Sequence, residues 1–283
     1  MKKHLLSVTG SVLLVSGILL PAGCYGQTKT ALIRKYLTDL PKVEVRNDGV
    51  LRKYRMTAIY TNRDLYGNFT GKIKVTGDYT RGFQNGFVTW NNVFIANSNS
   101  YSEPFPDGTK QEYMENIKYI PSGKMLEADA FKDFPSSTES IFARNLIWDM
   151  LSFEIFAWDY YDSLKLNKPY LIPDIQGQFD MAEIGKYSHN KILLCWKGIT
   201  EINGEMCAVI DFNAIDNMIE ITMDPISTKG TEQYWGTVTV SLKTKNIEKG
   251  IMYSGTMQEV EVKGMKNKFL VKTIRELDVQ RIR

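Results

Sequence analysis

The spacing of hydrophobic positions changes along the chain. Between Thr30 and Leu40, Ala31, Leu32, Ile33, Tyr36, Leu37 and Leu40 recur close to i, i+3/i+4 and stop at Pro41, which predicts an amphipathic helix over residues 30–40. The period then falls to two. Ile73 and Val75 alternate with Lys72, Lys74 and Thr76, as in an antiparallel strand with one buried face. Residues 53–61, 69–76 and 87–96 read as strands, punctuated by turn signals at Asp48-Gly49, Tyr66-Gly67, Gly77-Asp78, Asn85-Gly86 and Asp107-Gly108. The stretch 97–135 is rich in Asn, Ser, Pro and Gly and is expected to be loop, with one short strand near 113–120.

Residues 136–158 have a different pattern. At 100° per residue, Ile141, Phe142, Leu146, Ile147, Trp148, Met150 and Leu151 fall nearly all the way round, which predicts a buried helix rather than a surface one. Ser136 or Ser137 is placed to cap its first turn with a hydroxyl.

From residue 191 onward strand follows strand: 191–202, 206–213, 217–223, 234–244, 251–262 and 269–282. Asn203-Gly204 predicts a two-residue hairpin between the first two. In the fourth, Gly236, Val238, Val240 and Leu242 alternate with Thr237, Thr239, Ser241 and Lys243. Short connections between consecutive strands imply an antiparallel meander, because parallel pairs need crossovers of about a dozen residues. The fold class is therefore α+β, mostly antiparallel β: a curved sheet or incomplete barrel wrapped around a long buried helix, in a single domain over residues 27–283. In the expected hairpin register, Ile202 faces Glu205, Cys207 faces Thr200 and Cys195 faces Phe212. That sends the two cysteines to opposite faces of the ribbon and predicts free, mostly buried thiols.

Residues 1–26 read as a secretory leader. Lys2 and Lys3 precede an apolar stretch from Leu5 to Leu20, then Pro21, Ala22 and Gly23. Two cleavage modes are open. Gly23-Cys24 is similar to a bacterial lipobox that would acylate Cys24, although Pro21 stands where an aliphatic residue is usual; Gly26 before Gln27 fits ordinary signal peptidase. Export implies the periplasm or outer membrane of a Gram-negative bacterium, with membrane contact only if Cys24 is acylated. The formal charge of +3 falls to +1 when Lys2 and Lys3 leave, so nothing marks a nucleic-acid partner.

Candidate chemistry is sparse. His189 is the one histidine outside the leader and is expected on a solvent-exposed polar turn, without a Gly-x-Ser-x-Gly elbow that would pair it with a nucleophile. Asp149, Glu154, Asp159 and Asp162 lie among Trp148, Trp158, Tyr160 and Tyr161, the acid–base pair and sugar platforms that a carbohydrate-active hydrolase needs. Asp211, Asn213, Asp216 and Asn217 are expected as turn formers. With no phosphate-cradling glycine loop and no histidine-rich site, neither a cofactor nor a metal is expected.

The order helix, meander, long apolar helix, then a run of antiparallel strands resembles the periplasmic lipoprotein-carrier (Lol-type) class, chiefly over residues 191–244. That resemblance implies an incomplete barrel enclosing helices, and binding of an acyl chain or other apolar ligand. The leading expectation is an exported, non-enzymatic envelope protein that binds a hydrophobic ligand or an envelope partner. Leu146, Met150, Val238, Val240 and Leu242 are the expected core or cavity-lining residues. The hydrolase and a purely structural envelope component, its helix filling the barrel, are the alternatives.

Overall fold

In the computed structural model, residues 23–42, 44–45, 49–173 and 177–282 are described. Residues 1–22 of the expected leader, and the Cys24 side chain, lie outside the described set. Helix α1 spans Gly23–Thr38, starting earlier and ending sooner than the expected 30–40. The early period-two segments form β1 (Arg52–Asp64), β2 (Phe69–Arg81) and β3 (Val88–Ser98), followed by the short β4 (Thr109–Lys110) and β5 (Ile117–Tyr119). Helix α2 (Thr138–Glu154) continues into a π-helical turn, Ile155–Asp159. Next come β6 (Tyr170–Leu171), β7 (Gly177–Asp180), β8 (Gly185–His189), β9 (Lys191–Ile202), β10 (Glu205–Met223), β11 (Ile226–Ser241), β12 (Ile247–Val262) and β13 (Phe269–Ile282).

These 13 strands form one sheet among the described residues, and every strand pairing is antiparallel. Two meanders, β1–β3 and β10–β13, are joined where β1 pairs with β13, with Met56 opposite Val279 and Ala58 opposite Leu277. The end strands β4 and β7 do not pair with each other, so the sheet is not closed into a barrel.

Several sequence expectations shift by one irregularity each. Gly77-Asp78 is not a turn. It lies inside β2 at a register shift against β3, where a Cβ on Gly77 would sit 3.1–3.2 Å from Val93, Leu146 and Trp90. The expected strands 206–213 and 217–223 are one strand, β10, broken only by a bulge at Ile215-Asp216, with Asp216 at φ 59°. That bulge reverses which alternate positions face inward: Ala208, Ile210, Phe212 and Ala214 are buried before it, Asn217 and Ile219 after it. Asp211, Asn213, Asp216 and Asn217 are thus strand residues and not turn formers.

The Asn203-Gly204 hairpin forms in the expected register as far as Val209 opposite Gly198, and Cys207 faces Thr200. A second bulge then skips Lys197, so Cys195 faces Asp211 and not Phe212. Cys195 and Cys207 are not bridged to each other, but the reason is distance and not opposite faces. The pairs Cys207–Thr200 and Cys195–Asp211 lie four positions apart along β10, roughly 13 Å at about 3.3 Å per residue.

Ser137 is the N-cap of α2, yet its hydroxyl makes no capping bond; Ser140 donates backbone N–H and Oγ to the Ser137 carbonyl instead. Helix α2 is buried over most of its length and its side chains reach five strands. Asn145 donates to Tyr60 of β1, Glu154 accepts from Tyr79 and Arg81 of β2, and Phe153 packs edge-on to Phe212 of β10. Asp149 pairs with Arg275 of β13. On β12, Gly250 has no side chain where Phe153 lies: a Cβ there would come within 2.7 Å of the ring. No helix among the described residues is long and apolar enough to cross a membrane.

Candidate functional site

Helix α2 has two different faces. Ala143, Leu146, Ile147, Met150, Phe153 and Ala157 are buried in the hydrophobic core. The other stripe, Ile141/Phe142, Asn145, Trp148/Asp149, Ser152 and Ile155/Phe156, lines a cavity of about 570 Å³ between the helix and the sheet. Polar Asn145, Asp149 and Ser152 at i, i+4 and i+7 mark this second stripe, because successive i+3/i+4 steps stay on one helix face.

The floor of the cavity is built from register. Four strands contribute a row Tyr60, Arg275, Ser254 and Tyr234, each paired with the next. Two residues further along, the row is Asn62, Thr273, Thr256 and Glu232, and Glu232 pairs in turn with Asn217. In the opposite direction the rows become Ala58, Leu277, Met252, Gly236 and then Met56, Val279, Gly250, Val238. One sheet face thus runs from an apolar end filled by α2 to a polar end that borders the cavity. Opposite this polar floor, the helix contributes Ile141, Phe142, Trp148, Leu151 and Ile155, so the lining is amphipathic.

One ion pair crosses the cavity wall: Arg275 Nη2 donates to Asp149 Oδ1 at 2.8 Å. Burial pushes the Asp149 carboxyl up to about 6, although Arg275 offsets part of that penalty. Burial also works against the Arg275 charge, but Asp149, Tyr60 and Glu232 more than compensate and hold its pKa above the ordinary arginine value. Asp149 Oδ2 and Arg275 Nε find no hydrogen-bond partner among the described residues.

His189 does not stand on an exposed turn. It ends β8, half-buried, with its ring 4.8 Å from Tyr187, 5.4 Å from Phe179 and 6.1 Å from Tyr234. Its Nδ1 bonds the fully buried Asn217 Oδ1 at 3.2 Å. Burial lowers its pKa, with the Asn217 bond and Glu232 pulling the other way. Tyr187 donates its hydroxyl to Glu232 at 2.7 Å. Phe179, Tyr187, His189, Glu232 and Tyr234 all line the cavity. The sequence signal for this group was Tyr187 and His189 at alternate positions, which is strand periodicity and not that of a turn.

The four expected acidic residues are not brought together. Asp149 lines the cavity and Glu154 faces β2, where Arg81 Nη1 donates to both carboxylate oxygens at 2.9 Å and Tyr79 donates at 2.8 Å. Burial raises the Glu154 carboxyl to about 7 despite those partners. Asp159 and Asp162 are exposed, Asp162 pairing with Lys245 at 3.4 Å. Glu154 follows Asp149 by five positions, which on a helix is a turn of about 140° between them. Of the expected ligand-contacting set, Leu146, Met150, Val238 and Val240 are fully buried in the packed core and do not line this cavity; Leu242 lines a smaller groove beside Leu32 and Tyr36 of α1. No group of three or more metal-ligating side chains occurs among the described residues.

No protein-family model matches the chain, and no curated protein matches it. Among solved structures, a DUF1329 family protein from Desulfovibrio piger ATCC 29098 aligns over 91% of this chain and 92% of its own, at 9% identity and a TM-score of 0.13. A botulinum neurotoxin type C structure, described as entering cells through interaction with two ganglioside molecules, aligns over 79% of this chain and 77% of its own, at 10% identity and a TM-score of 0.08. Backbones that superpose this poorly carry no argument about ligand or activity. The likeness to lipoprotein carriers remains one of element order.

Proposed function

We propose that the protein is an exported, non-enzymatic component of a Gram-negative cell envelope, binding one amphiphilic small molecule between α2 and a sheet that curves round it as an open half-barrel. The observation that carries this reading is the cavity. Its volume of about 570 Å³ lies within the roughly 300–1,000 Å³ of small-molecule sites, and apolar Ile141, Phe142, Trp148, Leu151 and Ile155 of the helix side face the polar floor across it. A purely structural component would pack α2 on all sides, whereas the stripe from Ile141 to Phe156 borders the cavity. A glycan hydrolase acting through residues 148–162 needs two of those carboxylates on one substrate, and only Asp149 reaches the cavity. Export removes residues 1–26 in this reading, or 1–23 with acylation of Cys24, which then supplies the only membrane contact.

The test is a titration of the protein with the neutral apolar fluorophore N-phenyl-1-naphthylamine. Thr256 lies on the cavity floor, so Thr256→Trp fills the cavity from β12 and Ser152→Trp fills it from α2. The wild-type chain is expected to show saturable one-site binding. Either filled variant should weaken it by more than about tenfold, about 1.4 kcal/mol, while keeping a cooperative melt. Binding that is unsaturable, or unchanged in both variants, rejects the reading.

A further inference from the structure

The charges in the cavity wall do not cancel. Among the described residues, Asp149, Glu232 and Arg275 are the only Asp, Glu, Lys or Arg side chains that line it, and Arg275 is engaged by Asp149. The other titratable groups in the wall are Tyr60, Tyr187, Tyr234 and His189. Burial raises the tyrosines and lowers the histidine, so all four are uncharged near neutral pH. Lys186 and Lys229 are close in the sheet but do not line the cavity; Lys229 pairs with Glu220. One net negative charge remains, and it belongs to Glu232.

Glu232 also has aromatic neighbours. Tyr187 holds its carboxylate by a 2.7 Å hydrogen bond, and Phe179 stacks on Tyr187 at 5.5 Å with the planes 28° apart. Tyr234 stands two residues along the same inward face of β11 and also lines the cavity. A carboxylate with aromatic rings in the same wall offers a cation its charge, and rings that turn a face to the bound cation add to it. An anionic head would meet two carboxylates and a guanidinium already paired.

We infer that the ligand is a cationic amphiphile, whose amine or quaternary ammonium head sits at Glu232 among Phe179, Tyr187 and Tyr234 and whose chain lies along the Ile141–Phe156 stripe of α2. This rests on the ligand-binding reading of the cavity and adds the charge of the ligand. The charge of the whole chain does not decide the preference: without Lys2 and Lys3 it is formally +1, too small to gather ions of either sign. A selectivity for cations therefore has to come from the cavity.

The experiment compares two probes with the same chain, decyltrimethylammonium and decanoate, below their micelle-forming concentrations. Each displaces N-phenyl-1-naphthylamine from the full protein, wild type and Glu232→Gln; the glutamine keeps an acceptor for Tyr187 and removes the charge. The expected result is displacement by the cation at a concentration at least about tenfold lower than by decanoate, with the gap closing to within about threefold in Glu232→Gln. Equal or tighter displacement by decanoate, or a cation preference unchanged by Glu232→Gln, overturns the inference and leaves the cavity reading standing. If the fluorophore binds but neither probe displaces it, the chain-binding cavity falls, and the inference with it.

Discussion

At His189, Phe179, Tyr187 and Tyr234 supply low-dielectric surroundings, and Asn217 bonds Nδ1. Its pKa in the folded chain lies below the ordinary 6.5, so the unfolded chain takes up the proton first as pH falls. Its contribution to stability is full above the unfolded value and is lost as pH drops from there toward the folded value. Asp149 and Glu154 act in the opposite sense. Burial holds their folded pKa values up at about 6 and about 7, so acidification through that range relieves their cost. The wild-type profile mixes both signs, and a difference against a variant separates them. Denaturant melts from pH 7.5 to pH 5 should show wild type losing stability relative to His189→Asn. A difference that stays flat with pH would place the imidazole in water.

The two faces of α2 make a prediction at the scale of the element. Leu146 is fully buried and packs against Gly77, so Leu146→Ala should cost about 2–5 kcal/mol through lost transfer energy and a new void. Ile141 is half-buried at the cavity wall, so Ile141→Ala leaves little new void and should cost about 1 kcal/mol. Equal costs in denaturant melts would mean that the helix packs on both sides. The helix itself was legible from the all-round spread of Ile141, Phe142, Leu146, Ile147, Trp148, Met150 and Leu151. Its cavity face was not, because apolar side chains look alike whether they meet the sheet or a cavity. The usable signal was the polar stripe of Asn145, Asp149 and Ser152. The strands show the same division. Alternation in 234–244 identified the inward face of β11, but only cross-strand register shows where Val238 and Val240 give way to Tyr234 and Glu232. The bulge at Lys197 broke the parity argument for Cys195, since one inserted residue sends every later side chain to the other face, and the bulge at Ile215-Asp216 carries one strand through the expected turn at Asn217.

For the whole molecule, the antiparallel meander and the position of α2 against it could be read from period and turn chemistry. The joining of β1 to β13 could not, because no local signal spans that sequence separation. The floor of the cavity depends on that joining: Tyr60 and Asn62 come from the first strand, Thr273 and Arg275 from the last. The central claim is therefore that a single tertiary arrangement, and no local motif, creates a site for one amphiphile. Native mass spectrometry of protein purified from its own envelope tests it most directly, and the same spectrum reads how far the leader has been removed. The account predicts wild-type chains shortened by 23 or 26 residues and carrying one bound small molecule per chain, with that added mass absent from Thr256→Trp. Wild-type chains that emerge bare, or a bound mass that Thr256→Trp retains in full, would contradict it.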